Sequence, residues 1–554
     1  MAGMPRRRNG ECVLGLDIGT TGVRAVAFGL DGRQLYVAAA EYPLHAPRPG
    51  WAEQDPEQVY QAATACLRQT GAWAREQGRQ AVALGLSAIL HSLIPVDGSG
   101  AALGPSIIWA DNRSVAEAEA LKRETDPLAL YHRVGCPVHP MYSPAKLRWL
   151  RRHRPDLFAR AAAFVGIKEY VLRRWTGLHL CDRSIASGTG LYQMHAGTWD
   201  AAALDLAGIT AERLPPLVEP TERLAVGPAR LRDLNLPEGC VVVAGGGDGV
   251  LQTIGTGCAV PGQMVAMVAT SGAIRAVSET PRTDARARTW CYYLAEGRWV
   301  VGAAINNAGL VYAWLRDQLE AAANDTSGGM VTTVPSAAPA APGAEHSATA
   351  ASPRSGEAPN SAQGVRITAA DLDRWASAVP AGAGGLLFLP YLAGERSPNW
   401  NANARGVLFG LSLAHDYRHL ARATLEGVGY RMRTIFEPME EVAGTPSEIR
   451  ATGGFIRSPL WVQIVCDVLG RELLLTESPE ASSLGAAQLA LLGAGIMQRF
   501  EDLASLVHVG ERVVPDAGRH QLYSRLYDLY QRVYRQVEPE FSAIAQLQAE
   551  LSRE

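Results

Sequence analysis

A chain of 554 residues is too long for one hydrophobic core, so two large domains are expected. Hydrophobic residues at 47% and charged residues at 19% are ordinary for a globular chain. A net charge of −3 excludes a nucleic-acid or membrane-surface role carried by bulk charge. The eight cysteines are scattered without a Cys-x-x-Cys pair, which fits a reducing compartment and excludes a structural zinc site.

Met1–Gly10 holds three arginines, but the apolar run that follows breaks at Asp17, so no signal peptide is expected. No later apolar segment is long enough for a bilayer, and a cytoplasmic location follows as the expectation. Residues 14–28 read LGLDIGTTGVRAVAF: a buried strand, an aspartate at its end, a Gly-Thr-Thr-Gly turn and a second strand. Glycines let the backbone approach a ligand closely. N–H groups and two hydroxyls converge there as an anion-binding nest. An aspartate beside bound phosphate would repel it unless a cation lies between, and magnesium takes one or two carboxylates plus phosphate oxygens. Asp17 therefore reads as Mg²⁺-linked and Thr20 and Thr21 as phosphate donors. Arg24 adds charge if it faces the nest and is simply solvated otherwise. With no Lys-Ser/Thr after the turn and no helix opening on the glycines, this is neither a Walker loop nor a Rossmann fingerprint.

Asp55-Pro56-Glu57-Gln58 marks a helix start, with Asp as N-cap, Pro at the first helical position and Gln at the capping-box position. AVALGLS (81–87) continues an alternation of strand and helix patterns that indicates α/β architecture. CVVVAGGGDGV (240–250) repeats the opening theme and leaves Asp248 unobstructed at a strand end. That placement suits a general base, or equally a plain turn aspartate. MVATSGAIRAV (267–277) resembles GTTGVRAV (19–26), which suggests two related lobes, with Met267 where the first copy has Asp17.

Residues 321–364 contain no Leu, Ile or aromatic residue and are dominated by Ala, Ser, Pro, Gly and Thr. A flexible surface insertion is expected there. In ATGGFIRSPLW (451–461), Gly453-Gly454 would let a flat ligand lie on the backbone, and Ser458-Pro459 starts a helix. From Gln521 onward, Leu526, Tyr527, Tyr530, Val533 and Tyr534 share one helical face, as in a packing helix.

Together DIGTTGVRAV, GGGDGV, ATSG, GERSP (394–398), GVLFGLSLAHDYRHLARATLEGVGY (406–430) and ATGGF resemble the FGGY carbohydrate kinases, within the actin-like and hexokinase-like ATPase superfamily. The resemblance covers nearly all of residues 12–500. It implies an α/β fold of two ribonuclease-H-like lobes with ATP and sugar in the cleft between them: an N-terminal lobe over 11–258, a C-terminal lobe over 259–500 and a helical tail over 501–554. It implies Asp248 as catalytic base and Asp17 near Mg²⁺. Ser271 and Gly272 would approach the phosphates, and Gly309, Gly453, Gly454 and Ser458 the nucleotide.

By the same analogy the first lobe holds the sugar, through SAILHSLIPVD (87–97), IIWADNRS (107–114) and VGCPVHPMYSPAKLRWL (134–150). His91, Trp109, Asp111, Arg113 and Met141 are the candidates there, with Asp248 at the reacting hydroxyl. Trp109 could equally be core, Arg113 surface, and Asp111 a helix cap. HSLIPVD, WADNRS, GCPVHPM, IKEY (167–170) and SIASGTGL look like the gluconate-specific members, and the chain departs from the glycerol and xylulose patterns at Leu90-His91-Ser92. A sugar acid needs a cationic or multi-donor partner, for which His91, Arg113, Lys168 and His139 are available. The expected partners are a small sugar acid and ATP, with no nucleic acid and no membrane. A homodimer is left open.

Overall fold

Two mixed sheets repeat one topology, and the computed structural model describes residues 10–325, 365–476 and 480–551. In the first sheet β1 (Glu11–Ile18), β2 (Gly22–Phe28) and β3 (Gln34–Glu41) form an antiparallel meander. On the other side of β1, β4 (Gln80–Ala88) joins in parallel. Its outer edge carries β5 (Val241–Val242) and then β6 (Gly246–Gly247). The second sheet follows the same rule. Strands β7 (Gln263–Val268), β8 (Gly272–Ser278) and, beyond the intervening β9 (Trp290–Ala295), β10 (Arg298–Ile305) run antiparallel. Next to β7, β11 (Glu448–Thr452) and β12 (Leu473–Thr476) are parallel, and β9 and β13 (Val509–Val513) extend the edges. The repeat read from two short hairpins is thus a repeat of whole sheets.

Both faces of the first sheet are covered, which is why β1 and β4 read as nearly continuous apolar runs. Leu14, Leu16, Leu84 and Leu86 pack with Val59, Ala63 and Leu67 of the helix Pro56–Glu76. Asp55 caps that helix as expected, accepting from the Glu57 and Gln58 N–H groups. The alternate residues Val13 and Ala83 pack with Leu484, Ala487 and Leu491 of the helix Ala481–Gly493. That helix crosses at very short range. A Cβ on Gly15 would sit 1.8 Å from the Ser483 carbonyl oxygen, and one on Gly85 would sit 1.9 Å from that of Ala486. The chain therefore returns from the second sheet to close over the first.

The tail forms the helix Ala517–Val537, which buries Tyr523, Tyr527, Tyr530, Val533 and Tyr534. Of the insertion expected at 321–364, residues 321–324 complete the helix Gly309–Asn324, and 326–364 lie outside the described residues. All eight cysteines are free and buried. Among the described residues no helix is long and apolar enough to cross a membrane.

Candidate active site

The first hairpin places Asp17 at the end of β1, opposite Arg24 in register. Its turn is drawn tight by the Gly19 N–H to Gly22 carbonyl bond of 2.8 Å, and Tyr42 and Gln54 tether the Gly19 and Thr20 carbonyls. Thr20 Oγ1 accepts from Trp109 Nε1 at 3.0 Å, which leaves its own proton free to donate, and Thr21 is exposed at the tip. Arg24 shares the face of Asp17, and its charge opposes the rise in that carboxyl's pKa. Its guanidinium lies 3.4 Å from Glu480 with 55% of the side chain exposed.

Three glycines bring Asp248 to the same place. Gly245 adopts φ +77° with its Cα against the Leu86 carbonyl, where any Cβ would collide at 1.8 Å. Gly246 and Gly247 then pair with Ser87 and Ala88, and Asp248 opens the helix Asp248–Gly255. One carboxylate oxygen accepts from the Gly249 N–H at 2.7 Å. Asp17 accepts from Ser87 Oγ at 2.7 Å, so β1 and β6, on either side of β4, hold both acids at one end of the sheet. Burial, the Asp248 charge and Glu480 push the Asp17 carboxyl up to about 7, and burial raises Asp248 against the opposing N–H groups and arginines. Two carboxylates near enough for the Asp248 charge to raise Asp17 fit a magnesium ion, which takes one or two carboxylates and keeps water and phosphate oxygens for its other positions. Among the described residues no cluster of three or more acidic, His or Cys side chains forms an all-protein metal cage, and magnesium does not require one.

The second hairpin differs by one residue. Met267 aligns with Asp17 on the shared turn, but it pairs with Ala273 where Asp17 pairs with Arg24, so the two registers differ by one residue. Arg275 lies one position further along the strand, opposite Val265, and so shares the face of Met267 as Arg24 shares that of Asp17. Arg275 is nevertheless buried where Arg24 is exposed. Its Nη1 donates to Gln252 at 2.7 Å and its Nε has no hydrogen-bond partner. Around this hairpin, Gly309 and Gly453 both press on its backbone: added Cβ atoms would lie 2.5 Å from the Ala269 oxygen and 2.4 Å from the Val268 oxygen. Ser271 is half-buried in the turn, Gly272 begins β8, and nothing lies within 4 Å of a Cβ on Gly454. Ser458 caps the helix Pro459–Leu469 through the Trp461 N–H, so its hydroxyl has a structural partner already.

In the sugar-side segments His91 is buried, at φ 65°, with Nδ1 2.6 Å from the Gly188 carbonyl. Burial lowers both His91 and His139, the latter to about 3, so both rings are neutral. Met141 is buried in the core. Arg113 and Lys168 are not free cations. Arg113 forks onto Asp111 at 2.7 Å and Glu53 at 2.6 Å over the Trp51 ring, and Asp111 also accepts the Ala52 N–H. Asp111 is therefore a buried anchor and not a helix cap. Lys168 pairs with buried Asp182 and donates to the Ala244 carbonyl at 2.7 Å, just ahead of the glycine run. Both cations stand in interior ion pairs that strand spacing alone does not reveal.

Arg396, from the GERSP segment, supplies the charge the other two do not. Its guanidinium carbon lies 5.2 Å from the Trp109 ring centroid, so a second-lobe loop reaches a first-lobe side chain. Nη2 donates to the Ile305 carbonyl at 3.1 Å, and Nε has no hydrogen-bond partner. Its charge is felt at His91, His139, Tyr142, Tyr292 and Asp248. The Glu395–Arg431 ion pair, 2.6 Å and fully buried, anchors the loop from behind.

Two family models match this chain: the N-terminal domain of the FGGY family of carbohydrate kinases over residues 12–255 and its C-terminal domain over 264–494. The chain belongs to the FGGY family of carbohydrate kinases. This FGGY kinase is similar to a gluconokinase of Bacillus subtilis, 33% identical over 97% of this chain and 98% of the relative. It is also similar to a xylulose kinase of Escherichia coli, 28% identical over 95% and 99%. Among solved structures, a gluconate kinase from Lactobacillus acidophilus superposes with a TM-score of 0.84 at 27% identity, covering 97% of this chain and all of that one. The enzyme is thus a phosphotransferase acting on a sugar, built on the actin- and hexokinase-type fold of two ribonuclease-H-like lobes.

Proposed function

We propose that this enzyme phosphorylates D-gluconate at its terminal hydroxyl, with ATP as donor, giving 6-phospho-D-gluconate. The observation that carries the choice of a sugar acid is Arg396, a guanidinium in the cleft with an unpartnered Nε. The similarity to a gluconokinase supports the same choice. Asp248 accepts the proton of the attacking hydroxyl. The new bond forms between that oxygen and the γ-phosphorus, and ADP leaves with the bond to its bridging oxygen. Thr20, Thr21, Ser271 and Gly272 hold phosphate oxygens, and Gly309, Gly453 and Gly454 shape the nucleotide corner with Ser458 behind them. Asp17 would hold Mg²⁺, whose charge offsets that of the phosphates.

A xylulose or other ketopentose kinase is the second reading, favoured by the 28% identity to a xylulose kinase. A non-catalytic regulator is disfavoured, since Asp17, Asp248 and both hairpins are in place. Coupled assays with ATP and gluconate, xylulose, ribulose and glycerol separate these readings. Eight free, buried cysteines support a cytoplasmic location. Exposed Leu408, Phe409, Leu411 and Leu413 along one edge support a homodimer, which light scattering tests.

A further inference from the structure

Lys146, on the helix Ser143–His153, is fully buried, and among the described residues it forms no ion pair. Its ammonium meets three backbone carbonyls instead: His91 at 2.5 Å, Ile108 at 2.9 Å and Ile107 at 3.3 Å. Three carbonyl oxygens converging on one buried point repel one another unless a cation lies between them, and an ammonium supplies three donors, one for each. The same carbonyls belong to the two segments that line the sugar side of the cleft. One is that of His91 itself, whose left-handed backbone, at φ 65°, lets the ring bond to Gly188 while the carbonyl meets Lys146. The other two immediately precede Trp109, which bridges to Thr20 of the phosphate hairpin.

We propose that Lys146 is a positioning residue for the sugar, an internal cation that ties the His91 turn to the strand leading into Trp109 and so sets the spacing of the two walls of the substrate pocket. The inference rests on the reading that His91 and Trp109 face the sugar. The sequence signal was present. Tyr142, Lys146, Trp149 and Leu150 fall on one helical face, and a lysine within an otherwise buried stripe needs a partner inside the protein.

Two variants test the assignment. Lys146→Met keeps the apolar stem and removes all three donors. Lys146→Arg keeps the charge, but its planar fork cannot aim three protons at one point. The assay uses whichever sugar the wild-type enzyme turns over fastest, so failure of the gluconate reading does not decide the outcome. In Lys146→Met the sugar KM should rise about tenfold or more and kcat/KM for sugar should fall roughly 10²-fold, the penalty of a displaced substrate. The ATP KM should stay within about twofold of wild type. Lys146→Arg should fall between, at about threefold or more in sugar KM. The proposal is overturned if either variant, shown by its thermal melt to be folded, keeps the wild-type sugar KM. It is also overturned if the KM values for sugar and ATP rise together, as a general loosening would make them. Should Lys146→Met not fold, Lys146→Arg decides by the same criteria.

Discussion

Arg275 lies over the backbone of Gly249 and opposes the burial of the neighbouring Asp248 carboxylate without forming an ion pair with it. Burial alone favours the protonated acid, which could not accept a proton from substrate. The guanidinium favours the ionised base. The sign of a pH experiment follows. Activity should fall as pH drops through the Asp248 titration, and removing Arg275 raises that pKa further. In Arg275→Met the acid limb of kcat/KM should move to higher pH. A limb that stays in place or moves down would separate Arg275 from the base.

Asp248→Asn keeps the shape of the side chain and removes the proton acceptor. Turnover should drop roughly 10²–10⁴-fold, the usual contribution of a positioned base. Nucleotide affinity, read by titration calorimetry, should be unchanged, because the glycine run and both hairpins are untouched. A variant with near-wild-type turnover would remove Asp248 from the reaction.

Asp17 is separated from Asp248 by strand β4 but faces the phosphate hairpin, so its loss should act through the metal. Asp17→Asn should raise the Mg²⁺ concentration needed for half-maximal rate, and gluconate should still bind. A Mg²⁺ dependence identical to wild type would contradict the role.

The ends of the 326–364 segment are clasped. Asn324 exchanges hydrogen bonds with Val365 at 2.7 and 2.6 Å, and Glu320 accepts the Ile367 N–H at 2.9 Å. Closure entropy changes slowly with length, so a short Gly/Ser bridge between residues 325 and 365 should preserve both melting temperature and activity. Loss of either would show that the excised residues take part in the fold or the reaction.

The chemistry legible in the sequence was the part encoded locally. An aspartate ending an apolar run, with glycines beside it, marks Asp17 and Asp248 because strand, turn and carboxylate are consecutive. Ser458-Pro459 announced a helix cap for the same reason. Charges whose partners lie elsewhere in the chain were not legible. Lys168 meets Asp182 fourteen residues on, and Arg113 meets Glu53 sixty residues back, so the local sequence showed neither partner. Arg275 was hidden by tertiary burial. The motif match placed it with Arg24, whose face it shares, but Gln252 and Gly249 from the helix Asp248–Gly255 pack against it. Arg396 stood in a recognised motif, but only the tertiary fold brings it to Trp109.

That contrast sharpens the test of substrate choice. A pocket that binds a carboxylate must replace its hydration with charged or multiple hydrogen bonds, and a neutral sugar leaves each such group unsatisfied at about 1–3 kcal/mol. Gluconate should therefore exceed xylulose, ribulose and glycerol in kcat/KM. Arg396→Met should narrow that gap, lowering gluconate turnover more than that of any neutral sugar. Arg113→Met and Lys168→Met should behave differently. Each strands a buried carboxylate, Asp111 or Asp182, and should destabilise the fold by about 3–5 kcal/mol while leaving the preference between sugars intact. Melting temperatures and a four-sugar kinetic panel on the three variants decide the matter. If Arg113 or Lys168 changes the preference and Arg396 does not, the carboxylate is held on the first lobe. If wild-type enzyme turns over xylulose as well as gluconate, the sugar-acid reading fails and the kinase remains.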